Sequence, residues 1–565
     1  MTERAYLPGA IPYSQEVIRR YTENGAWSDL TFGDLLDRAA TQHPDKLALI
    51  SDEIRLTYSE LVDKVDRFAI ALLELGVKKH DRIVIQLPNR HEFVVAFYAM
   101  QRIGAVPILS VPRHGYQEIS SFVNLTAPIG WIVPSREDKR EFLSLVDRVS
   151  SEFKCLKYII IVTDGDPLPS NAVSMAELIE EVRLEDYAAN YLNRFRPDPN
   201  DIAVLIPTGG TTGLPKMVPR THNSLIVGTD FGFRHMTSDE VIIQVTPGGH
   251  MMGMATMNLA VFLGAYLVLQ KILRPAEILE TIEKEKVTYF LGVPTQLEGM
   301  VNHPNLEQYD VSSLKIIGTA GAPLGREVVQ RTVEYFGRFG CKLQGSSYGA
   351  SEGIAVMTDL DDPLDIKLGT VGRPFTPGAD YKVIDETGQQ LPPNTEGELV
   401  CKGPETFTGY YKSSPEEQRE VFTPDGYFKS GDLARIDERG YITVTGRRKD
   451  VILRGGETLI PGKIEDLINE HPSVDKVAVI GMPDERLGER ICAYVVLKPD
   501  KLLTFNELVE FLKSIGASVL LLPERLEIRD DLPLTAIGKI DKKALRKDIE
   551  ETLRKEGIRD SSTVT

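Results

Sequence analysis

The apolar run at residues 202–207 breaks directly into Thr208-Gly209-Gly210-Thr211-Thr212-Gly213-Leu214-Pro215-Lys216. A short apolar run of this kind reads as a buried strand, and the Gly/Thr-rich break as a loop at its end. Glycines let backbone N–H groups come close to a ligand. The threonine hydroxyls add donors and Lys216 adds a positive charge. Together these groups suit a triphosphate cradle. The P-loop of kinases and GTPases needs Gly-Lys followed by Ser or Thr. Here Pro215 precedes the lysine and Met217 follows it, so this loop is of another kind.

Similar runs recur at 82–87, 158–162, 241–245, 287–291 and 314–317, with amphipathic stretches such as 276–286 between several of them. Strands alternating with helices predict an α/β fold of mostly parallel sheets covered by helices. The chain has 565 residues, too many for one core, so at least two domains are expected. After about Val400, Gly426-Tyr427, Gly431-Asp432 and Gly440-Tyr441 punctuate short strands and predict a small β-rich subdomain. A break follows at Gly446-Arg447-Arg448-Lys449-Asp450. The expected division is therefore a large N-terminal domain at 1–448 and an α+β C-terminal domain at 449–565. In the latter, Thr504 and Glu507 have capping-box spacing and open a helix to about Ile515, and Asp541 caps a last helix. Residues 559–565 read as disordered.

The formal net charge of −17, with no basic stripe, makes the chain a poor candidate for binding nucleic acid by phosphate neutralisation. No apolar run approaches the ~20 residues that cross a bilayer. The N-terminus lacks the shape of a signal peptide. The four cysteines are widely spaced, without a CxxC pair, which argues against a metal knuckle or a disulfide framework and for a reducing cytoplasm.

Three further segments carry chemistry. In Gly345-Ser346-Ser347-Tyr348-Gly349-Ala350-Ser351-Glu352, a ring, a hydroxyl and a carboxylate could stack a base, bond a phosphate and ligate Mg²⁺, although Tyr-Gly turns are common. Asp432, beside Gly431, could accept two ribose hydroxyls or be a simple turn residue; Arg447 could bond the same sugar or be a solvated charge. Lys539, after the Gly538 turn and the apolar 532–537 run, could enter a site as a point charge, whereas a lone lysine is usually solvated.

Taken together, in this order, these segments resemble the adenylate-forming superfamily of acyl-CoA synthetases, aryl-acid–AMP ligases and peptide-synthetase adenylation domains. The resemblance covers about residues 27–553. The segments at 216–223 and 532–543 are similar to those of stand-alone aryl-acid–AMP ligases. It implies two half-reactions: ATP and a small carboxylic acid give an acyl-adenylate and pyrophosphate, then a thiol takes the acyl group and AMP leaves. It also implies a mobile C-terminal domain. On the same ground Thr208 to Lys216 holds the β/γ-phosphates, Gly321 and Ala322 border the adenine and Tyr348 stacks on it. Ser351 touches the α-phosphate, Glu352 ligates Mg²⁺, and Asp432 and Arg447 hold the ribose. Lys539 is the catalytic cation of the first half-reaction. Lys449 is the hinge, Gly455 and Gly456 line the thiol tunnel, and His250 gates the acid pocket.

Where aryl-acid ligases place an asparagine that reads an ortho-hydroxyl, this chain has Met251, followed by Met252-Gly253-Met254. A thioether moulds around apolar shapes and satisfies a buried hydroxyl poorly. Thr256, Gly345 and Ala355 complete the expected pocket. An unsubstituted ring acid or a short-to-medium aliphatic acid is therefore expected. Lys463 stands where the family usually has glutamate. No carrier domain is fused, so free coenzyme A is the expected acceptor, with a separate carrier protein second.

Overall fold

The computed structural model describes residues 6–137, 140–163, 165–208, 215–271, 273–322, 324–454, 457–484, 486–515, 517–535 and 539–556. The expected disorder at 559–565 lies outside them. By internal packing the chain forms two compact units, residues 1–380 with 401–428, and residues 381–400 with 429–565.

Two sheets build the first unit. One runs in the order Lys216–Thr221, Ile202–Thr208, Val106–Ser110, Arg82–Gln86, Gly130–Pro134, Tyr158–Val162, Ala172–Ser174. Its neighbours are parallel, except for the hairpin of Ile202–Thr208 with Lys216–Thr221. The other runs Arg373–Pro374, Ile354–Met357, Lys342–Ala350, Ile316–Ala320, Tyr289–Gly292, Val241–Gln244, Tyr266–Leu269, Leu47–Ser51, Ile54–Thr57. It is parallel through its middle and antiparallel at both edges. Ile83, Val84 and Ile85 are all fully buried, so consecutive residues on both faces of the strand are covered. That is why the sequence shows continuous apolar runs rather than alternation. Helix His91–Ile103 is buried at every residue from Phe93 onward, as expected of a helix apolar all round.

Asn89, just past strand Arg82–Gln86, fastens one sheet to the other. Its Nδ2 donates to the carbonyls of Gln244, Thr246 and Gln270 at 3.2, 3.1 and 3.1 Å. Its Oδ1 accepts from Gln244 Nε2 at 3.0 Å and from the Gly248 N–H at 2.9 Å. A buried amide with all its groups engaged fixes the strand ends it bridges.

The second unit contains most of a four-stranded sheet, Asp380–Ile384, Gly397–Lys402, Phe428–Ile436 and Ile442–Arg447. The β-rich region thus opens at Asp380, earlier than the sequence suggested. Its first strand carries Asp380 and Lys382 among its apolar residues and lacks a continuous apolar run. Beyond it, Val474–Asp484 and Gly488–Leu497 form a long antiparallel pair, flanked by Ile452–Arg454, Glu457–Leu459 and Arg525–Ile528. Strand periodicity decides its packing. Val477, Val479, Ile491, Ala493 and Val495 pack with Ile464, Ile468, Leu508 and Leu512 of helices Pro461–Asn469 and Phe505–Ser514. The alternate residues Ala478, Ile480, Cys492, Tyr494 and Val496 pack with Leu545, Ile549 and Leu553 of helix Lys542–Lys555. Both expected caps are present, the Thr504–Glu507 box and Asp541 Oδ1 accepting from Lys543 N and Ala544 N. Among the described residues no helix is long and apolar enough to cross a membrane.

Candidate active site

Loops at the carboxyl ends of parallel strands are the ones free to meet a ligand. Thr208, His250, Gly321, Ala322, Ser351 and Glu352 all lie at such ends. Thr208 and Lys216 are register partners that close the cradle loop, and Thr208 Oγ1 donates to the Lys216 carbonyl at 3.3 Å. Gly209, Gly210, Thr211, Thr212 and Gly213 lie outside the described residues.

Lys216 and Glu352 meet through a residue that sequence reasoning passed over. Lys216 Nζ sits 4.8 Å from the centre of the Tyr410 ring. The Tyr410 hydroxyl donates to Glu352 Oε1 at 2.8 Å. Burial first, then the Glu352 charge, pushes the Tyr410 pKa far above the phenol range, so the hydroxyl keeps its proton. Arg220 holds the neighbouring turn. Its Nη1 donates to the Ser351 carbonyl at 2.6 Å, and its Nη2 to the carbonyls of Glu405 and Ser224 at 2.6 and 2.7 Å. Arg220 is 2% exposed. A guanidinium so deeply buried must be well bonded, and its partners here fix the turn that presents Ser351 and Glu352.

The segment expected to follow a strand is itself strand, since Lys342–Ala350 runs through Tyr348, which pairs with Val356. Pairing with Ile354–Met357, not a loop, therefore sets the Tyr348 position. Ser346 Oγ donates to the Ala322 carbonyl at 2.9 Å and ties the Gly321-Ala322 turn to this strand.

Of the residues expected around the acid, His250 caps helix Met251–Leu263, its Nδ1 accepting from Met252 N at 3.4 Å. Met251 is the half-buried first residue of that helix. Thr256 is buried, and its hydroxyl donates to the Met252 carbonyl at 2.9 Å, a bond within its own helix. Gly345 has φ +80°, and a Cβ there would stand 2.8 Å from Thr358 Oγ1. The backbone therefore demands glycine at 345, whatever the acid. Ala355 pairs with Gly349 in the edge hairpin. Met251 and Thr256 share the helix that follows Val241–Gln244. Gly345 and Ala355 belong to the hairpin of the same sheet, with two strands between it and Val241–Gln244.

In the second unit Asp432 and Arg447 are register partners, with Arg447 Nε 3.1 Å from Asp432 Oδ1. Ser430, Gly431 and Asp432 lie within strand Phe428–Ile436 and not in the turn expected there; Ser430 Oγ accepts from Asp432 N at 3.0 Å and donates to the Leu399 carbonyl at 2.6 Å. The Lys539 carbonyl accepts from Thr535 N at 2.7 Å. The residue keeps an exposed face. Atoms packed around its ammonium, and then the Arg447 charge, hold its pKa below the lysine range, while Asp432 acts the other way. Lys449 falls in the single turn Arg448–Asp450, between strands Ile442–Arg447 and Ile452–Arg454. Gly455 and Gly456 lie outside the described residues. Lys463 pairs with Glu396 at 3.2 Å, a partly exposed contact of small energetic weight.

Among the described residues no three His, Cys, Asp or Glu side chains cluster as a metal cage. Mg²⁺ is commonly held by one or two carboxylates together with nucleotide phosphates. Glu352, buried beside the cradle lysine with one oxygen bonded by Tyr410, fits that use.

Two family models match the chain, one for AMP-binding enzymes over residues 36–411 and one for the AMP-binding enzyme C-terminal domain over 463–539. The 2,3-dihydroxybenzoate-AMP ligase of Bacillus subtilis (strain 168) is 33% identical over 551 residues, spanning 97% of this chain and 99% of that one. A salicyl-AMP ligase / salicyl-S-ArCP synthetase of Mycobacterium tuberculosis is 33% identical over 548 residues, spanning 95% and 94%. Among solved structures, apo MbtA of Mycobacterium smegmatis superposes with a TM-score of 0.70 at 31% identity, covering 96% of this chain and 99% of that one.

Proposed function

Since the chain belongs to the AMP-binding enzyme family and is an AMP-forming ligase that uses ATP and a small carboxylic acid, we propose that it adenylates an aromatic acid and passes it to a pantetheine thiol. The observation that carries this reading is that Lys216 of one sheet and Glu352, in the turn with Ser351 at the end of a strand of the other, meet at Tyr410.

In the first half-reaction an acid oxygen bonds to the α-phosphorus of ATP. The bond to the bridging oxygen breaks, and pyrophosphate leaves with its electron pair. Lys216 and the cradle hold the departing phosphates, and Asp432 accepts the ribose hydroxyls. Lys539 offers a point charge to the carboxylate and α-phosphate while negative charge is redistributed. Glu352 would hold Mg²⁺, which when bound neutralises charge on the phosphates. In the second half-reaction the thiol, as thiolate, attacks the carbonyl and AMP leaves. Residues 449–565 are proposed to move between the two poses, with Lys449 as the hinge and Gly455 and Gly456 along the thiol path.

The acceptor favoured here is the second of the two that the sequence suggested, although relatives named for coenzyme A also span the chain. A relative spanning nearly the whole chain is named for transfer to ArCP. That favours a carrier-bound pantetheine over free coenzyme A. The test supplies labelled acid and ATP with either coenzyme A or a phosphopantetheinylated aryl carrier. Faster AMP release with the carrier supports the reading, and faster release with coenzyme A reverses it.

At the start of helix Met251–Leu263, Met251 offers a ring hydroxyl only a weak thioether acceptor where an asparagine would offer a strong one, and the Thr256 hydroxyl spends its proton on the Met252 carbonyl. Burying an unpaired hydroxyl costs about 1–3 kcal/mol, roughly 5- to 150-fold in discrimination. Benzoate-type acids should therefore exceed salicylate and 2,3-dihydroxybenzoate in kcat/KM for pyrophosphate release, and Met251→Asn should narrow the gap. A parent that prefers 2,3-dihydroxybenzoate would overturn the pocket argument and leave the adenylation reading standing.

A further inference from the structure

Tyr410 stands between the two charged groups assigned to the nucleotide's phosphate end. Its hydroxyl donates to Glu352 Oε1 at 2.8 Å. The face of its ring meets Lys216 Nζ at 4.8 Å, within the range where an ammonium is attracted to an aromatic quadrupole. The backbone on either side explains why it stays there. Phe407 N donates to the Glu352 carbonyl at 2.8 Å, and Tyr411 N donates to the Met217 carbonyl at 2.9 Å. The segment is thus stitched on one side to the residue that bears the carboxylate and on the other to the residue after the lysine. Phe407 also packs edge-on against the Tyr410 ring, with centroids 5.0 Å apart.

We propose that Tyr410 is a positioning residue that sets both the orientation of the Glu352 carboxylate for Mg²⁺ and the placement of the Lys216 ammonium for the phosphates. This rests on the nucleotide reading given above. A donor on one carboxylate oxygen restrains the rotation of the whole group before any ion arrives. The ring limits where Lys216 can swing, and one rigid side chain thereby couples the two. A purely packing role would use the ring and not the hydroxyl.

Tyr410→Phe keeps the ring and removes the donor; Tyr410→Leu removes both. The first should raise the Mg²⁺ concentration giving half-maximal activity about 5- to 10-fold, since hydrogen bonds to charged groups are the stronger ones. It should leave KM for the acid within about twofold, since the hydroxyl is proposed to act on the carboxylate and not on the acid. Tyr410→Leu should add a loss of ATP affinity. Isothermal titration of ATP into each protein, at several Mg²⁺ concentrations and without acid, reads the same shifts independently of turnover. A Tyr410→Phe protein whose Mg²⁺ dependence matches the parent in both measurements overturns the proposal. So does one that loses melting temperature and kcat with an unmoved Mg²⁺ midpoint. If Tyr410→Phe does not fold, the Mg²⁺ dependence of ATP binding by Tyr410→Leu decides in the same way. A parent that binds Mg²⁺–ATP but shows no acid-dependent chemistry removes the catalytic reading instead, and the calorimetry still judges Tyr410.

Discussion

Lys539→Ala lowers acid-dependent adenylate formation by roughly 10²- to 10³-fold, the usual cost of removing one preorganised charge from a developing one. It leaves thioester formation from preformed acyl-adenylate near the parent rate. The Lys539 N–H donates to Thr535 Oγ1 at 3.2 Å and its carbonyl accepts from Thr535 N, bonds made by its backbone and not its side chain. Leu534 and Ile540 pair in a bridge beside them. The side chain can therefore be lost without opening the unit's core, which lies in residues such as Leu532, Leu545 and Ile549. Its ammonium feels the Arg447 and Asp432 charges, so it belongs electrostatically to the group assigned to the ribose. The measurement compares pyrophosphate release with transfer from supplied adenylate, parent and variant side by side. Equal losses in the two would contradict a role confined to the first half-reaction.

Gly353→Ala should be nearly as damaging, by a different route. Gly353 follows Glu352 at φ +102°, where a side chain is strained, and a Cβ there would lie 1.9 Å from the Glu405 carbonyl oxygen. That oxygen also accepts from Arg220 Nη2. The backbone conformation alone costs about 1–3 kcal/mol. Relieving the clash must push the 405–407 segment away from the turn and break both the Arg220 contact and the bond from Phe407 N to the Glu352 carbonyl. Adenylate formation should fall by more than about 100-fold, since misplacement of about 1 Å has that effect, and the melting temperature should fall with it. Thermal denaturation and pyrophosphate release check the pair of effects. A variant as stable and active as its parent would show that the turn has room the structure does not provide.

Strand–helix alternation was readable because buried parallel strands leave continuous apolar runs, as at Ile83 to Ile85 and Ile202 to Ile206. The helix starts at Thr504 and Asp541 were readable because capping is local chemistry. Asp432 and Arg447 were both singled out, and strand pairing sets them opposite each other. Tyr410, Asn89 and Arg220 were given no role. Their partners lie 58, 155 and 131 residues away in the chain, so no spacing or period announces them. Arg220 fell within the 216–223 segment of the resemblance, which names no partner for it. Gly345 was read as making room for the acid, whereas its positive φ supplies a backbone reason that a sequence does not display. The early start of the β-rich region was hidden because strand Asp380–Ile384 mixes charged and apolar residues.

The Lys216, Tyr410 and Glu352 constellation is proposed to serve acid adenylation with ATP. Acid-dependent exchange of labelled pyrophosphate into ATP tests it most directly, because exchange requires reversible adenylate formation and needs no thiol. The expected result is exchange that appears only when an aromatic carboxylic acid and Mg²⁺ are both present, and that is strongly reduced in Lys539→Ala. Exchange absent across a broad panel of aromatic and aliphatic acids, in a folded protein that binds ATP, would contradict it.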